Sequence, residues 1–597
     1  MNQAKAVQFH GAHRTPFSSV ASIGICLFLL SVIFWLLYWI DYAWVYSCIG
    51  WVDAWAYFGL AADPVAMRSA FPNHPAGDLL PLIWPAAFLY SVFPAIAANL
   101  LYKWASFVLV GLLLYRMVEW DFGKQTAIWA TLALVFYKYF LIAVGSDYTD
   151  GRVILYLMLA LYFLSTAYVS DASRKQEATR LFFGGLFFSF SVSTALLSSV
   201  FGLPLALCAI GRQWIKKGKI EIPWLALSIL GFCVGILSLG LAHYLYTGRF
   251  LYFSATLAKA TSFLNVTRGP QHVNVLRLEW LYLPLLACVA LPMSLVTRES
   301  RNVPWGFEKK LSILLWVMNV GALLPLVYLQ YVKKQETLTN CYYLDQVLPF
   351  TMYAIVGTLI HPAIRQLGKT RFMVFTVIFF LVCLGVFAYT TCKPGVKAQW
   401  LTTLACVGLI AAVLLYCTSR KEAGWLTIFL TLFFGVNLSP EKIDRIWKYD
   451  GITPYCKSRR QVLETSFRWV AFVKTVDPGR SRFLWYNSDG ERTFFRGLSA
   501  ASHLWQGRVL NERLPELDVP IGEGGVVDPI SLASRGVGLI VVAKDDVELE
   551  RARANLLKQD VQTEYEISTT FQVNDEKSLQ VRVCRLIKKN KVGVASP

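Results

Sequence analysis

Long apolar runs separated by short charged loops organise roughly the first three quarters of the chain. A membrane-spanning helix needs about 20 apolar residues. Candidate spans lie at 19–40, 95–118, 126–145, 153–170, 181–194, 197–211, 223–247, 279–297, 311–331, 344–361, 372–391, 400–418 and 425–438, which is about 13 spans. The short runs 181–194 and 197–211 fit either a tight pair of spans or a re-entrant hairpin. Segment 79–94 is apolar but is broken by Pro81, Pro85 and Pro94. It is expected to lie along the membrane interface or dip into it rather than cross. From about Glu441 the pattern changes. Arg482–Tyr486 and Val537–Ala543 read as strands, 545–558 as a charged helix opened by Asp545 and Asp546, and 564–572 and 578–586 as two more strands. The expected fold is a polytopic α-helical membrane protein with a small C-terminal α/β domain. The division runs 1–438 for the membrane domain, with a structured first outer loop at 41–94, and 439–597 for the soluble domain.

Charge between the runs orients the chain. Loops Asp171–Arg180, Arg212–Lys219, Arg298–Lys310, Arg365–Arg371 and Arg420-Lys421 are rich in Lys and Arg. Such loops face the cytoplasm. The N-terminus is then cytoplasmic, and an odd number of spans places the C-terminal domain outside. Lys5 and Arg14 precede an apolar run too long for a cleaved signal core, so that run is expected to stay as the first span.

Composition agrees with this reading. Of 597 residues, 56% are hydrophobic and 16% charged, against roughly a quarter charged in soluble proteins. Mean hydropathy is +0.47. The net charge of +19 sits largely in orienting loops, and no aromatic-plus-basic motif points to nucleic acid. The 12 Cys include no CxxC pair and no zinc-like spacing.

Candidate chemistry gathers on the outer side. Asp53 lies in Trp51-Val-Asp53-Ala-Trp-Ala-Tyr57, just past the first span, and a second acidic loop reads Ser146-Asp147-Tyr-Thr-Asp150-Gly-Arg152. An outward-facing transferase lacks nucleotide-activated substrates and needs a donor carried by lipid. That calls for a carboxylate to take a proton, cations for a phosphate, and an apolar groove. Asp53 is the candidate general base. Asp150, and after it Asp147, would orient the acceptor, hold a metal, or cap the following helix. The metal is left unassigned and a divalent ion stays open. Lys138, inside an apolar run, either snorkels or faces a site. Lys103 shares that ambiguity. Arg268 and His272 flank Gly269-Pro270 in the 248–278 loop and would present charge to a phosphate. Lys333, Lys334 and Tyr342-Tyr343-Leu-Asp345 are further outer-face candidates.

These motifs, together with the Leu-rich run that follows Arg152, resemble the GT-C membrane glycosyltransferases. Within that class the chain is similar to bacterial relatives of the protein O-mannosyltransferase and aminoarabinose-transferase group, glycosyltransferase family 39-like. The resemblance implies a bacterial inner-membrane enzyme that inverts a sugar transferred from a polyprenyl-phosphate donor, with Asp53 as base. A single Asp stands where the family pattern has an adjacent Asp-Glu pair. The acceptor class therefore stays open among glycan, lipid and protein. Two other readings share the polytopic body: a transporter or flippase of a lipid-linked or anionic substrate, and a polysaccharide polymerase or ligase. A transporter is expected to show inverted repeats and helices broken at the membrane midplane.

Overall fold

The computed structural model describes residues 16–46, 57, 60–61, 75–145, 149–168, 173–265, 278–297, 306–335, 337–339, 341–365, 367, 369–392 and 421–438, the strands given below, and isolated residues 468 and 547. The expected span 400–418 and nearly all of the expected helix 545–558 lie outside the described residues.

Fifteen helices are defined here: α1 Pro16–Ile40, α2 Leu80–Val92, α3 Ala95–Phe122, α4 Lys124–Val135, α5 Lys138–Gly145, α6 Asp150–Thr166, α7 Arg174–Thr194, α8 Gly202–Lys217, α9 Ile222–Thr247, α10 Ser254–Asn265, α11 Tyr282–Thr297, α12 Phe307–Tyr331, α13 Leu348–Ile355, α14 Lys369–Cys392 and α15 Lys421–Leu438. Among the described residues seven helical segments are long and apolar enough to cross a membrane, or eight with the bent pair α4–α5. The chain is a multi-pass membrane protein. Several expected spans fold as shorter helices. Run 153–170 becomes the 17-residue α6, and 279–297 the 16-residue α11. Runs 181–194 and 197–211 belong to separate helical segments, Arg174–Thr194 and Leu196–Lys217.

Burial sorts the helices. Ile222 and Leu245 on α9 are 75% and 78% exposed, and Phe28 on α1 and Leu381 on α14 are also exposed. In a bilayer these apolar faces meet lipid. The segment containing α13 is buried almost throughout and forms the centre. It carries a π turn at Val356–Ile360. There the Ser312 hydroxyl donates to the Gly357 carbonyl at 3.0 Å.

Small residues set the tightest helix contact. A Cβ at Gly185 of α7 would overlap the Ser228 carbonyl of α9, and one at Gly231 of α9 would overlap the Phe182 carbonyl. Close approach of this kind replaces the hydrophobic drive that lipid cannot supply. Gly218 and Gly248 end α8 and α9 in the left-handed conformation, with φ of 68° and 73°.

One end of the helical body is laced with ion pairs. Glu177 pairs with Lys216 and Lys217, and Glu308 with Arg365. Slightly deeper, the Arg212 guanidinium grips Asp121 with both arms, one at 2.6 Å, and Tyr353 donates to the same carboxylate.

The described C-terminal strands form a five-stranded sheet in the order β2-β1-β3-β5-β4. They are β1 Arg482–Asn487, β2 Leu510–Asn511, β3 Val537–Ala543, β4 Val561–Asn574 and β5 Lys577–Lys588. Strand β1 runs parallel to β2 and β3, while β5 is antiparallel to β3 and β4.

Candidate functional site

The site is built at the end opposite the ion pairs, where four segments of the chain meet. The first is the 3-10 turn Tyr42–Tyr46, which follows α1. Trp44 in this turn is buried against Phe34 at 5.3 Å between ring centroids, and Phe34 meets Phe107 at 5.5 Å. Phe107 in turn touches Phe140 of α5. The turn is therefore seated on α1, α3 and α5 by aromatic packing.

The second segment is the α5–α6 corner. A Cβ at Gly145 would overlap the Trp44 carbonyl oxygen, and one at Gly151 would collide with the Ala143 carbonyl. Glycine at both positions lets the corner close on the turn and on itself. Thr149 occupies the N-cap of α6 without a side-chain capping bond, and Asp150 is the first helical residue. Its charge lies at the positive end of the helix dipole. Asp150 is 3% exposed and Arg152 likewise.

The third segment is α2, short enough to be held from the side. Pro85 inside it has no N–H, so the carbonyl of Pro81 loses its helical donor. The Tyr156 hydroxyl supplies one at 2.7 Å, and Tyr102 donates to the Leu82 carbonyl at 3.0 Å. Asp78, just before α2, accepts from both the N–H and the hydroxyl of Thr256 at 3.1 Å. That ties the turn before α2 to α10.

The fourth segment is the return from α12. Leu338 donates its N–H to Gln330 at 2.9 Å, Thr337 donates to the Leu326 carbonyl at 2.7 Å, and Trp280 donates to the Leu338 carbonyl at 2.9 Å. The folded-back loop delivers Asp345 and Gln346 in a 3-10 turn, Asp345–Val347, against α6.

The predicted site residues divide accordingly. Asp150 is buried here, with Gln346 as its side-chain hydrogen-bond partner and Asp345 close enough for the two carboxylates to repel. Lys103 on α3 is fully buried, and its ammonium donates to the Val45 carbonyl. A buried ammonium near the edge of an apolar helix needs such acceptors. Lys138 does not lie within a continuous span. The expected run 126–145 is bent by 63° between α4 and α5, and Lys138 opens the second piece. Its backbone N–H donates to Asn437 Oδ1 of α15 at 2.8 Å, and its ammonium lies 5.8 Å from the Tyr139 ring centroid. A helix that starts inside the protein has unpaired N–H groups, and Asn437 fills one of them. Asp53, Asp147, Arg268 and His272 lie outside the described residues.

Sequence reasoning did not single out Arg152 or Gln346. The Arg152 guanidinium stacks 3.7 Å above the Tyr102 ring and donates to Ser106. Its place inside the acidic motif was the available signal. Gln346 carried none, being an uncharged residue beside an apolar run. Among the described residues no group of three His, Cys, Asp or Glu side chains gathers in a metal-binding cluster.

No known protein-family profile matches the chain, and no curated protein sequence matches it. Solved structures do. ArnT from Cupriavidus metallidurans bound to undecaprenyl phosphate superposes with a TM-score of 0.51 at 12% identity, over 95% of this chain and 98% of that one. The apo state of the same protein gives 0.50 over the same shares. The chain has the fold of these ArnT structures, the GT-C fold that its sequence motifs resemble.

Proposed function

We propose that the protein is an inverting glycosyltransferase that moves a sugar from a polyprenyl-phosphate donor to a hydroxyl acceptor on the outer face of a bacterial inner membrane. The observation that carries this reading is the near end-to-end match to a transferase solved with undecaprenyl phosphate. A buried carboxylate on an apolar helical body, at the end away from the basic loops, supports it. In this reading the N-terminus is cytoplasmic. The membrane domain spans 1–438 with about 13 crossings, and 439–597 forms an extracytoplasmic α/β domain.

Asp53 takes the proton of the acceptor hydroxyl as its oxygen attacks the anomeric carbon. The bond from that carbon to the phosphate oxygen breaks with inversion, and polyprenyl phosphate leaves. Asp150, with Asp147, orients the acceptor. Lys138, Arg268, His272 and Lys103 are the cations assigned to the lipid phosphate, directly or by holding the loops around it. The Lys103 ammonium already secures the loop that leads into the Asp53 motif.

The bent pair α4–α5 also favours a second reading, because broken helices are a mark of transporters. One experiment separates the two. Mass spectrometry of envelope glycans and lipids from a deletion strain should show a missing sugar decoration together with accumulated lipid-phosphate sugar. An intact set of decorations with a substrate retained on one side of the membrane would instead identify transport.

A further inference from the structure

Arg116 and Trp120 stand one turn apart on α3, and Arg180 approaches them from the first turns of α7. The two guanidinium carbons lie 5.0 and 5.8 Å from the centroid of the same Trp120 ring. Tyr162 of α6 stacks on that ring at 5.5 Å. All four side chains are half-buried, so they reach the surface of the helical body. Glu177 lies one turn before Arg180, which puts the cluster at the end laced with ion pairs, opposite the candidate site.

Donors outnumber acceptors in this cluster. A guanidinium carries five N–H donors and keeps its charge at any working pH. Among the described residues Arg116 spends one arm on Glu119 at 2.7 Å, and Arg180 spends one on the Thr166 carbonyl at 2.6 Å. One carboxylate thus answers two guanidiniums, and the hydrogen-bonding partner of Arg180 is neutral. Two like charges held on one indole repel unless an anion joins them. Snorkelling brings a single Arg to the membrane boundary. It does not bring two, from different helices, to the same ring. Beyond the cluster the surface turns apolar. Phe183 and Phe187 follow Arg180 by three and seven residues, on one face of α7. Their rings are 6.3 Å apart, and Phe163 of α6 stacks on Phe187 at 5.5 Å. These three rings are half-buried too and run from the charged end toward the middle of the body.

We propose that Arg116, Arg180, Trp120 and Tyr162 bind the phosphate of an anionic phospholipid whose acyl chain lies on Phe163, Phe183 and Phe187. Phosphate oxygens suit the guanidinium fork. Trp and Tyr suit the headgroup level, and basic pockets between membrane helices take anionic headgroups. The aromatic row is the reason for a lipid rather than a free phosphate. This lipid site lies at the other end of the molecule from the proposed donor site, and it does not rest on the transferase reading.

The test uses the purified full chain, delipidated in detergent and titrated with phosphatidylglycerol or with phosphatidylcholine of the same chains. Bound lipid is counted by native mass spectrometry. Wild type should take up phosphatidylglycerol in preference. Arg180→Gln should weaken that binding about tenfold or more, the scale of a charge-assisted hydrogen bond. Lys219→Gln removes a 70% exposed cation at the same end and should leave it unchanged. Equal uptake of both lipids by wild type, an equal loss in the two variants, or no loss in Arg180→Gln overturns the site. Inorganic phosphate that displaces phosphatidylglycerol at equal concentration also overturns it, since the site then serves a free anion. If Arg180→Gln fails to fold, Trp120→Leu decides. It removes the ring shared by both guanidiniums and should abolish the preference, and an unchanged preference overturns the proposal.

Discussion

At the scale of single residues, charge decides more than shape. Arg212 and Asp121 are buried together, with Tyr353 completing the carboxylate's partners. Removing one side of such a pair strands the other charge and costs about 3–5 kcal/mol. Arg212→Met is therefore expected to lower the thermal unfolding midpoint sharply, and Arg212→Met with Asp121→Asn should recover part of the loss. A double variant no more stable than the single one would show that the pair is not the source. Asp53→Asn keeps size but cannot take a proton. It should leave folding intact and reduce transfer by roughly 10²–10⁴-fold, measured as turnover of purified protein. Near-normal turnover removes Asp53 from the mechanism. Asp150 and Lys103 were legible in one dimension, because a charge at the edge of an apolar run stands out. The meeting of Asp150 with Asp345 and Gln346 was not, because it depends on which distant helices touch.

At the scale of elements, the segments around the site are held by groups that repair broken backbone. Pro85 deprives the Pro81 carbonyl of its partner and Tyr156 restores it. Tyr156→Phe leaves that carbonyl bare in a buried place, at about 1–3 kcal/mol. The variant should unfold earlier and lose activity, because α2 shifts against α6. Unaltered stability and activity would mean that α2 docks by other means. The α7–α9 contact gives a cleaner stability test. Gly185→Ala drives a methyl into the Ser228 carbonyl, whereas Gly24→Ala has open space around it. Overpacking typically costs about 1–3 kcal/mol, so the first should lower the unfolding midpoint and the second should not. The existence of α7 and α8 was readable from hydrophobic runs. Their form was not, because α7 starts with charged residues that a hydropathy pattern trims away, and its capping box, Ser173 with Gln176, is polar.

At the scale of the whole molecule, orientation governs the proposed chemistry. In a background cleared of native cysteines, Ser146→Cys and Asp489→Cys should react with an impermeant thiol reagent in intact cells. Reaction only after permeabilisation would reverse the topology and remove the case for a lipid-borne donor. The helical membrane body was evident from the sequence because runs of apolar residues leave few alternatives. Strands β1 and β3 also fall where β-rich apolar segments stood out. The bend between α4 and α5 was hidden, since both halves are apolar and the Asn437 side chain that meets the start of α5 lies far along the chain.

That partner has a consequence for how the protein is made. Asn437 caps the start of α5 from 299 residues away, and synthesis runs at about 5–20 residues per second. The start of α5 thus waits roughly 15–60 s, by that rate, for this cap to be synthesised. Chains cut short before α15 lack this cap at the α4–α5 bend. The α4–α5 bend thereby gains this contact only after nearly all of the helical body has been made.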